Sequence, residues 1–233
     1  MGTSMTFQQV NAFLFEGFAF TVGIFFLTLL FALPLGLFIA FCSMSKFKPL
    51  KYLTDIIVWI VRGVPLMLQI FVIYYVPGFL GKNIFASVDT FFTLNYDMDN
   101  MGAFIAVIIA FAINYACYFS VIFRGGIQSI PRGQYEAAQV LGMTKVQTFK
   151  HIILPQVIKN ILPPMSNEVI TLVKDTALAN VIMVAELIFK AKELMSYAII
   201  WPMFYTAVFY LVFVGILTLL FNFIEKKLSY YKV

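Results

Sequence analysis

Charge is scarce in this chain. Of its 233 residues only 12% are Asp, Glu, Lys or Arg, against 62% hydrophobic, and the mean hydropathy is +0.92. A soluble domain carries about a quarter charged residues, so apolar surface on this scale needs lipid to cover it. Histidine is nearly absent: His151 stands alone, which excludes a multi-histidine metal site or Ser–His catalysis within the apolar part. The two cysteines, Cys42 and Cys117, are far apart and form no CxxC or metal-type spacing, so they read as small buried hydrophobes. There is no G-x-x-x-x-G-K-[ST] phosphate loop, which excludes ATP binding by that route. No basic residue precedes Lys46, so a cleavable signal peptide with its charged n-region is not expected. Also missing are low-complexity linkers, convincing repeats and the ten-residue alternation of a β-barrel. Helices satisfy every backbone polar group internally, as lipid demands. The expectation is an all-α integral membrane protein, a single domain over residues 1–233.

Five apolar runs are long enough to cross hydrocarbon. They cover about residues 13–44, 53–80, 101–123, 157–184 and 199–224. Pro34 and Gly36 are expected to bend the first, and Arg62-Gly63-Val64-Pro65 interrupts the second. Lysine and arginine placement orients them. Lys46, Lys48, Lys51, Arg124, Arg132, Lys145, Lys150, Lys159, Lys226, Lys227 and Lys232 fall on one side, eleven in all. Only Lys82, Lys190 and Lys192 fall on the other, where Asp89, Asp97 and Asp99 join them. The N-terminus is therefore expected outside and the C-terminus in the cytoplasm. The net charge of +5 sits against anionic headgroups and requires no nucleic acid. Tyr74, Tyr75, Tyr230 and Tyr231, near span ends, suit an interfacial belt.

Between the third and fourth runs lies a polar insert, about residues 130–155, on the cytoplasmic side. Pro131 suits a first helical turn, and Tyr135, Ala138 and Leu141 recur as one stripe. Gly142 can take left-handed geometry and end that helix. Thr144 and Gln147 form a capping-box pattern that starts a second helix, with Val146, Phe149 and Ile153 on its apolar side and a break expected at Pro155. The prediction is a helix, a sharp glycine turn and a helix. Small residues at Ala137, Ala138 and Gly142 would let another protein approach closely. A hairpin packed on its own bundle explains the pattern equally well.

Glu136-Ala137-Ala138, three residues, Gly142, nine residues, Ile152, one residue, Leu154-Pro155 matches the "EAA" coupling loop of ABC importer membrane subunits. Arg124-Gly125-Gly126-Ile127, Ile130-Pro131-Arg132-Gly133-Gln134 and Lys174-Asp175-Thr176 resemble the polar amino acid uptake branch, the histidine-, glutamine-, arginine- and cystine-type permeases. The resemblance implies a type I ABC importer transmembrane domain in a bacterial plasma (inner) membrane. It implies a coupling role for Glu136, Ala137, Ala138 and Gly142, seated in a cytoplasmic ATPase subunit that carries the ATP and Mg. No cofactor is then expected in this chain. It further implies a second permease subunit, identical or related, an extracytoplasmic solute-binding protein meeting loops such as 186–196, and alternating access driven by the ATPase.

The fourth run carries Asn167, Glu168, Thr171, Lys174 and Asp175, at roughly 2.5–3.5 kcal/mol per charge near the bilayer centre. At about 100° per residue these five share an arc of about 120°. Glu168, Asp175 and Lys174 supply both signs needed by a zwitterionic amino acid, with Asn167 and Thr171 as hydrogen-bonding groups. Pro163 and Pro164 are expected to break this span and free backbone groups for a cavity. Pairing of Lys174 with the acids inside the bundle is the other reading. Arg62, beside a helix break, could bind a substrate carboxylate or neutralise one of those acids. Three rival functions compete: an ABC permease for another solute such as an osmolyte, an ion channel, for which no selectivity loop or charged ring is visible, and a membrane enzyme, for which no nucleophile and base are visible.

Overall fold

A computed structural model describes residues 5–81, 84–96 and 100–228, and every described secondary-structure element is helical. Lys82, Asp97, Asp99, Tyr230, Tyr231 and Lys232 lie outside the described residues. Helix α1 (Phe7–Ser43) starts at a capping box, in which Thr6 Oγ1 accepts from Gln9 N–H while Gln9 Oε1 accepts from Thr6 N–H. Helices α2 (Lys48–Gly63) and α3 (Leu66–Phe79) follow, then α4 (Ile84–Tyr96) and α5 (Met101–Gln128). Helix α6 (Arg132–Val140) and the single turn α7 (Lys145–Gln147) form the insert, and α8 (Leu154–Asp175), α9 (Leu187–Ser196) and α10 (Trp201–Leu228) complete the chain.

Among the described residues α1, α5 and α10 are long and apolar enough to cross a membrane. The α2–α3 pair, bent by 103° at its break, passes the same test only when its two helices are taken together. Helix α8 has 22 residues, about 33 Å at 1.5 Å each, which is long enough to cross, but its polar face sets it apart.

Helix α5 is the hub, packed by α1, α2, α3, α4 and α8. Its seam with α1 is built from small side chains. Thr28, Ala32, Gly36 and Ala40 recur every fourth residue on α1, all buried, and Ala103, Ala106, Ala110 and Ala116 are buried on α5. In lipid, association depends on such close backbone approach rather than on water-driven burial. At Gly36 an added Cβ would stand 2.9 Å from Ala116 O and Phe119 Cβ. Into this seam pack Ile24, Phe25, Phe111, Phe119, Leu172 and Val173. Helix α10 buries one stripe, Pro202, Thr206, Phe209, Phe213 and Leu217, and turns Phe204, Leu211 and Leu219 outward, as a lipid-facing helix does.

Asp89 Oδ1 of α4 accepts from Gly102 N–H at 2.7 Å and so caps the first turn of α5. At the other end, Arg124 of α5 pairs with Asp55 of α2 at 2.8 Å. Tyr74 stacks on Phe85 of α4.

Two expected proline breaks are absent. Helix α8 runs unbroken through Pro163 and Pro164. Each proline deprives the carbonyl four residues back of a donor, and the residues concerned, Lys159 and Asn160, border a cleft of about 620 Å³ between α5, α8 and α10 rather than lipid. Pro155 does not end a helix either. A π-helical segment, Thr148–Ile153, joins α7 to α8 directly ahead of it. That wider turn accommodates the ring that would otherwise strike the carbonyl of His151.

Candidate functional site: a two-signed cleft and a cytoplasmic elbow

The elbow forms where the sequence places it. Helix α6 ends at Leu141, Gly142 takes φ +71°, and Met143 N–H reaches back to Ala138 O at 3.0 Å. This is the left-handed closure that glycine permits without a Cβ clash. Thr144 and Gln147 then make a full capping box for α7. Ala138 is the one buried residue of α6, at 3% exposure. Ile153 tethers the second arm by packing with Ile130 and Val157. Glu136, Ala137 and Gly142 are exposed, as are Val140 (87%), Leu141 (78%), Val146 (75%) and Phe149. The expected stripe of Tyr135, Ala138 and Leu141 therefore does not fold onto the bundle as a unit. Apolar side chains at the tip of a polar elbow face outward.

The second site is a cleft of about 540 Å³ between the α2–α3 break, α5 and α8. A volume of this order is usual for a small-molecule site. Helix α8 contributes Glu168, Thr171 and Asp175, spaced as one helical stripe, and α2 contributes Arg62. Of the six residues singled out from the sequence, four thus come together. The other two do not: Asn167 and Lys174 are exposed and do not line it. At about 100° per residue they occupy the far edge of the 120° arc, so one polar face serves the cleft and its margin turns away.

Three polar residues of the lining escape the sequence reading. Asn114, Tyr115 and Tyr118 of α5 form the opposite wall. Asn114 was the one amide inside the third apolar run, and that oddity could have marked it; the tyrosines carry no comparable signal. Tyr115 is 2% exposed, and its hydroxyl donates to Asp175 Oδ2 at 2.7 Å. The Arg62 guanidinium lies 4.9 Å from the Tyr118 ring centroid, within cation–π range. Arg62 and Glu168 face the same cleft without an ion pair between them, and Lys174 makes no ion pair among the described residues. No ion-pair contact thus joins Arg62 to Glu168 or Lys174 to Asp175 among the described residues. Asp175 is held by a phenol, while one cation and one anion remain turned to the cleft. The 620 Å³ cleft described above is larger but mostly apolar, and its chemistry is poorer.

On the outer side, α9 is fastened to α1. Glu186, fully buried, accepts from Ile188 and Phe189 N–H at 2.8 Å each, and Thr21 Oγ1 accepts from Leu187 N–H. Lys190 reaches Glu16 at 3.2 Å and lies over the Phe13 ring. Burial pushes the Glu186 carboxyl up to about 7, although the two backbone N–H groups pull the other way.

Residues 32–230 match the family described as binding-protein-dependent transport system inner membrane component. The L-cystine transport system permease protein TcyB of Bacillus subtilis is 34% identical, with 99% of this chain and 94% of that protein aligned. The arginine transport system permease protein ArtQ of the same organism is also 34% identical, over 97% and 96%. A putative glutamine transport system permease protein, GlnP of Rickettsia bellii, is 33% identical over 95% of each. A crystal structure of an amino acid ABC transporter with histidines superposes with a TM-score of 0.75 at 32% identity, over 93% of this chain and 94% of that one. The inward-facing MetNI methionine ABC transporter shares the fold at 17% identity and a TM-score of 0.67, over 97% and 100%. The chain belongs to the binding-protein-dependent transport system inner membrane component family: it is a multi-pass membrane permease subunit of an ABC importer, a transport component rather than an enzyme.

Proposed function

We propose that this permease moves polar amino acids through the cleft lined by Arg62, Asn114, Tyr115, Tyr118, Glu168, Thr171 and Asp175. The observation that carries the reading is the unpaired pair of opposite charges on facing walls. Arg62 supplies the cation that an α-carboxylate needs, and Glu168 supplies the anion for an ammonium. Thr171 and Asn114 supply hydrogen bonds, and Tyr118 adds an aromatic face. The permease relatives named for cystine, arginine and glutamine support the amino acid class.

A soluble ATPase subunit, holding ATP and Mg, docks on the exposed elbow at Glu136, Ala137 and Gly142, with Ala138 buried beneath them and Val140, Leu141 and Val146 presenting apolar surface to it. A second permease subunit closes the pathway, and an extracytoplasmic binding protein delivers solute to the outer segment around α9. Closure of the ATPase dimer favours the outward-open state, and hydrolysis resets it. The test is Glu168→Gln in the reconstituted importer. Substrate-stimulated uptake should be lost while the complex still assembles; normal uptake by this variant would remove Glu168 from the pathway.

A further inference from the structure

Pro65 leaves the α2–α3 junction short of donors. In a continuous helix the Val61 carbonyl would accept from residue 65, but proline has no N–H. The Val64 carbonyl would accept from Leu68 N–H, which donates instead to Pro65 O at 3.0 Å. The carbonyls of Val61, Arg62, Gly63 and Val64 thus all lack their helical donor at this 103° bend.

One side chain answers two of them, those of Val61 and Val64. Gln69, on the first turns of α3, donates its amide hydrogens to Val61 O at 2.7 Å and Val64 O at 2.9 Å. Its Oε1 accepts from Asn114 Nδ2 at 3.3 Å. A primary amide has two donor hydrogens and a carbonyl acceptor, and here all three are engaged. The amide joins the end of α2, the turn, the start of α3 and the wall of α5.

The neighbouring contact completes the pattern. Arg62 follows Val61 directly, and its guanidinium lies over Tyr118, one helical turn beyond Asn114 on α5. Gln69–Asn114 and Arg62–Tyr118 are therefore successive rungs between the broken helix and the cleft wall. Gln69 itself does not line the cleft.

We propose that Gln69 is a positioning residue: by satisfying two of the carbonyls freed at the break and tying the break to Asn114, it holds Arg62 where a solute carboxylate binds. This rests on reading the cleft as the solute's path. Removing the amide frees the turn, and Arg62 loses its fixed approach, so affinity suffers before turnover does.

The test uses the complete importer in proteoliposomes, with its ATPase and binding protein. Gln69→Leu should raise KM for uptake about tenfold, equivalent to about 1.4 kcal/mol, with kcat changed less than about twofold. Arg62→Gln should raise KM at least as much, and the double variant should be no worse than Arg62→Gln alone, because both remove one contact. Gln69→Asn, which keeps an amide of shorter reach, should lie between wild type and Gln69→Leu and guards against a Leu variant that fails to assemble. Hydrogen exchange over residues 60–69 should quicken in Gln69→Leu and not in Arg62→Gln. Multiplying KM effects in the double variant, or a fall in kcat with KM unmoved, would overturn the positioning role. So would unchanged exchange together with unchanged KM. If exchange quickens but Arg62→Gln leaves KM unmoved, the cleft reading fails and this inference fails with it.

Discussion

Replacing Tyr115 by Phe deletes one oxygen and leaves the packing almost untouched. The ring is 2% exposed, stacked with Phe111 at 6.2 Å and tilted against Phe119 at 5.9 Å, and both contacts involve carbon. What goes is the 2.7 Å bond to Asp175 Oδ2. A hydrogen bond to a charged group contributes about 1.5–3 kcal/mol net, a factor of about 10–150 in the folding equilibrium. The upper part of that range is expected, because Asp175 is half-buried on a helix face that meets no bulk solvent on its packed side, and it has no other side-chain hydrogen bond among the described residues. The assay is thermal or denaturant unfolding of the purified complex, followed by a thiol-reactive dye. Cys117, 1% exposed and two residues from Tyr115, becomes reactive only when this part of the bundle opens. A double-mutant cycle isolates the pair: Tyr115→Phe, Asp175→Asn and both together. Coupling of about 1.5 kcal/mol or more is expected. Strict additivity would show that the contact carries no stability and that Asp175 is kept for the cleft alone.

Two other consequences are directly measurable. Gly142→Ala forces a Cβ into φ +71°, at a cost of roughly 1–2 kcal/mol; the chain should still insert, but ATPase activity stimulated by loaded binding protein should fall, and an unchanged rate would dissociate the turn from coupling. Glu186 is raised from 4.5 to about 7 chiefly by burial, so the folded state binds its proton more tightly than the unfolded state does. Stability from this group is complete below pH 4.5 and is lost as pH rises through about 7. Unfolding midpoints of wild type should decline across that window, and Glu186→Gln should flatten the decline. A wild-type midpoint that climbs over the same range would contradict the burial argument.

Much of this architecture could be read from residue order because local rules and lipid enforce it. Apolar runs had to become crossings, Arg62-Gly63-Val64-Pro65 had to interrupt one, and Gly142 had to close a turn. Proline was the unreliable guide. Pro65 stands at a 103° break, whereas Pro155 is absorbed by a π segment, and α8 runs on through Pro163 and Pro164, whose residues four positions back border a cleft. Whether such a ring bends a helix depends on what surrounds the deprived carbonyl, which is tertiary information. The same limit applies to the polar stripe of α8. Periodicity put Asn167 and Lys174 on the same face as Glu168, but it could not divide an arc between a cleft and its rim. Asn114, Tyr115 and Tyr118 joined that wall only because small residues let α5 come close to its neighbours.

The helical turns that join the elbow to α8 have a mechanical meaning. From Lys145 to Asp175 the backbone never leaves helical geometry, so no slack loop separates the exposed tip from the cleft's carboxylates. Glu168 stands about 35 Å from the start of that rod at about 1.5 Å per residue. A tilt of only about 5° applied at one end sweeps the other by about 3 Å over that length. A proline that merely widened its helix, instead of snapping it, has left the molecule with a lever.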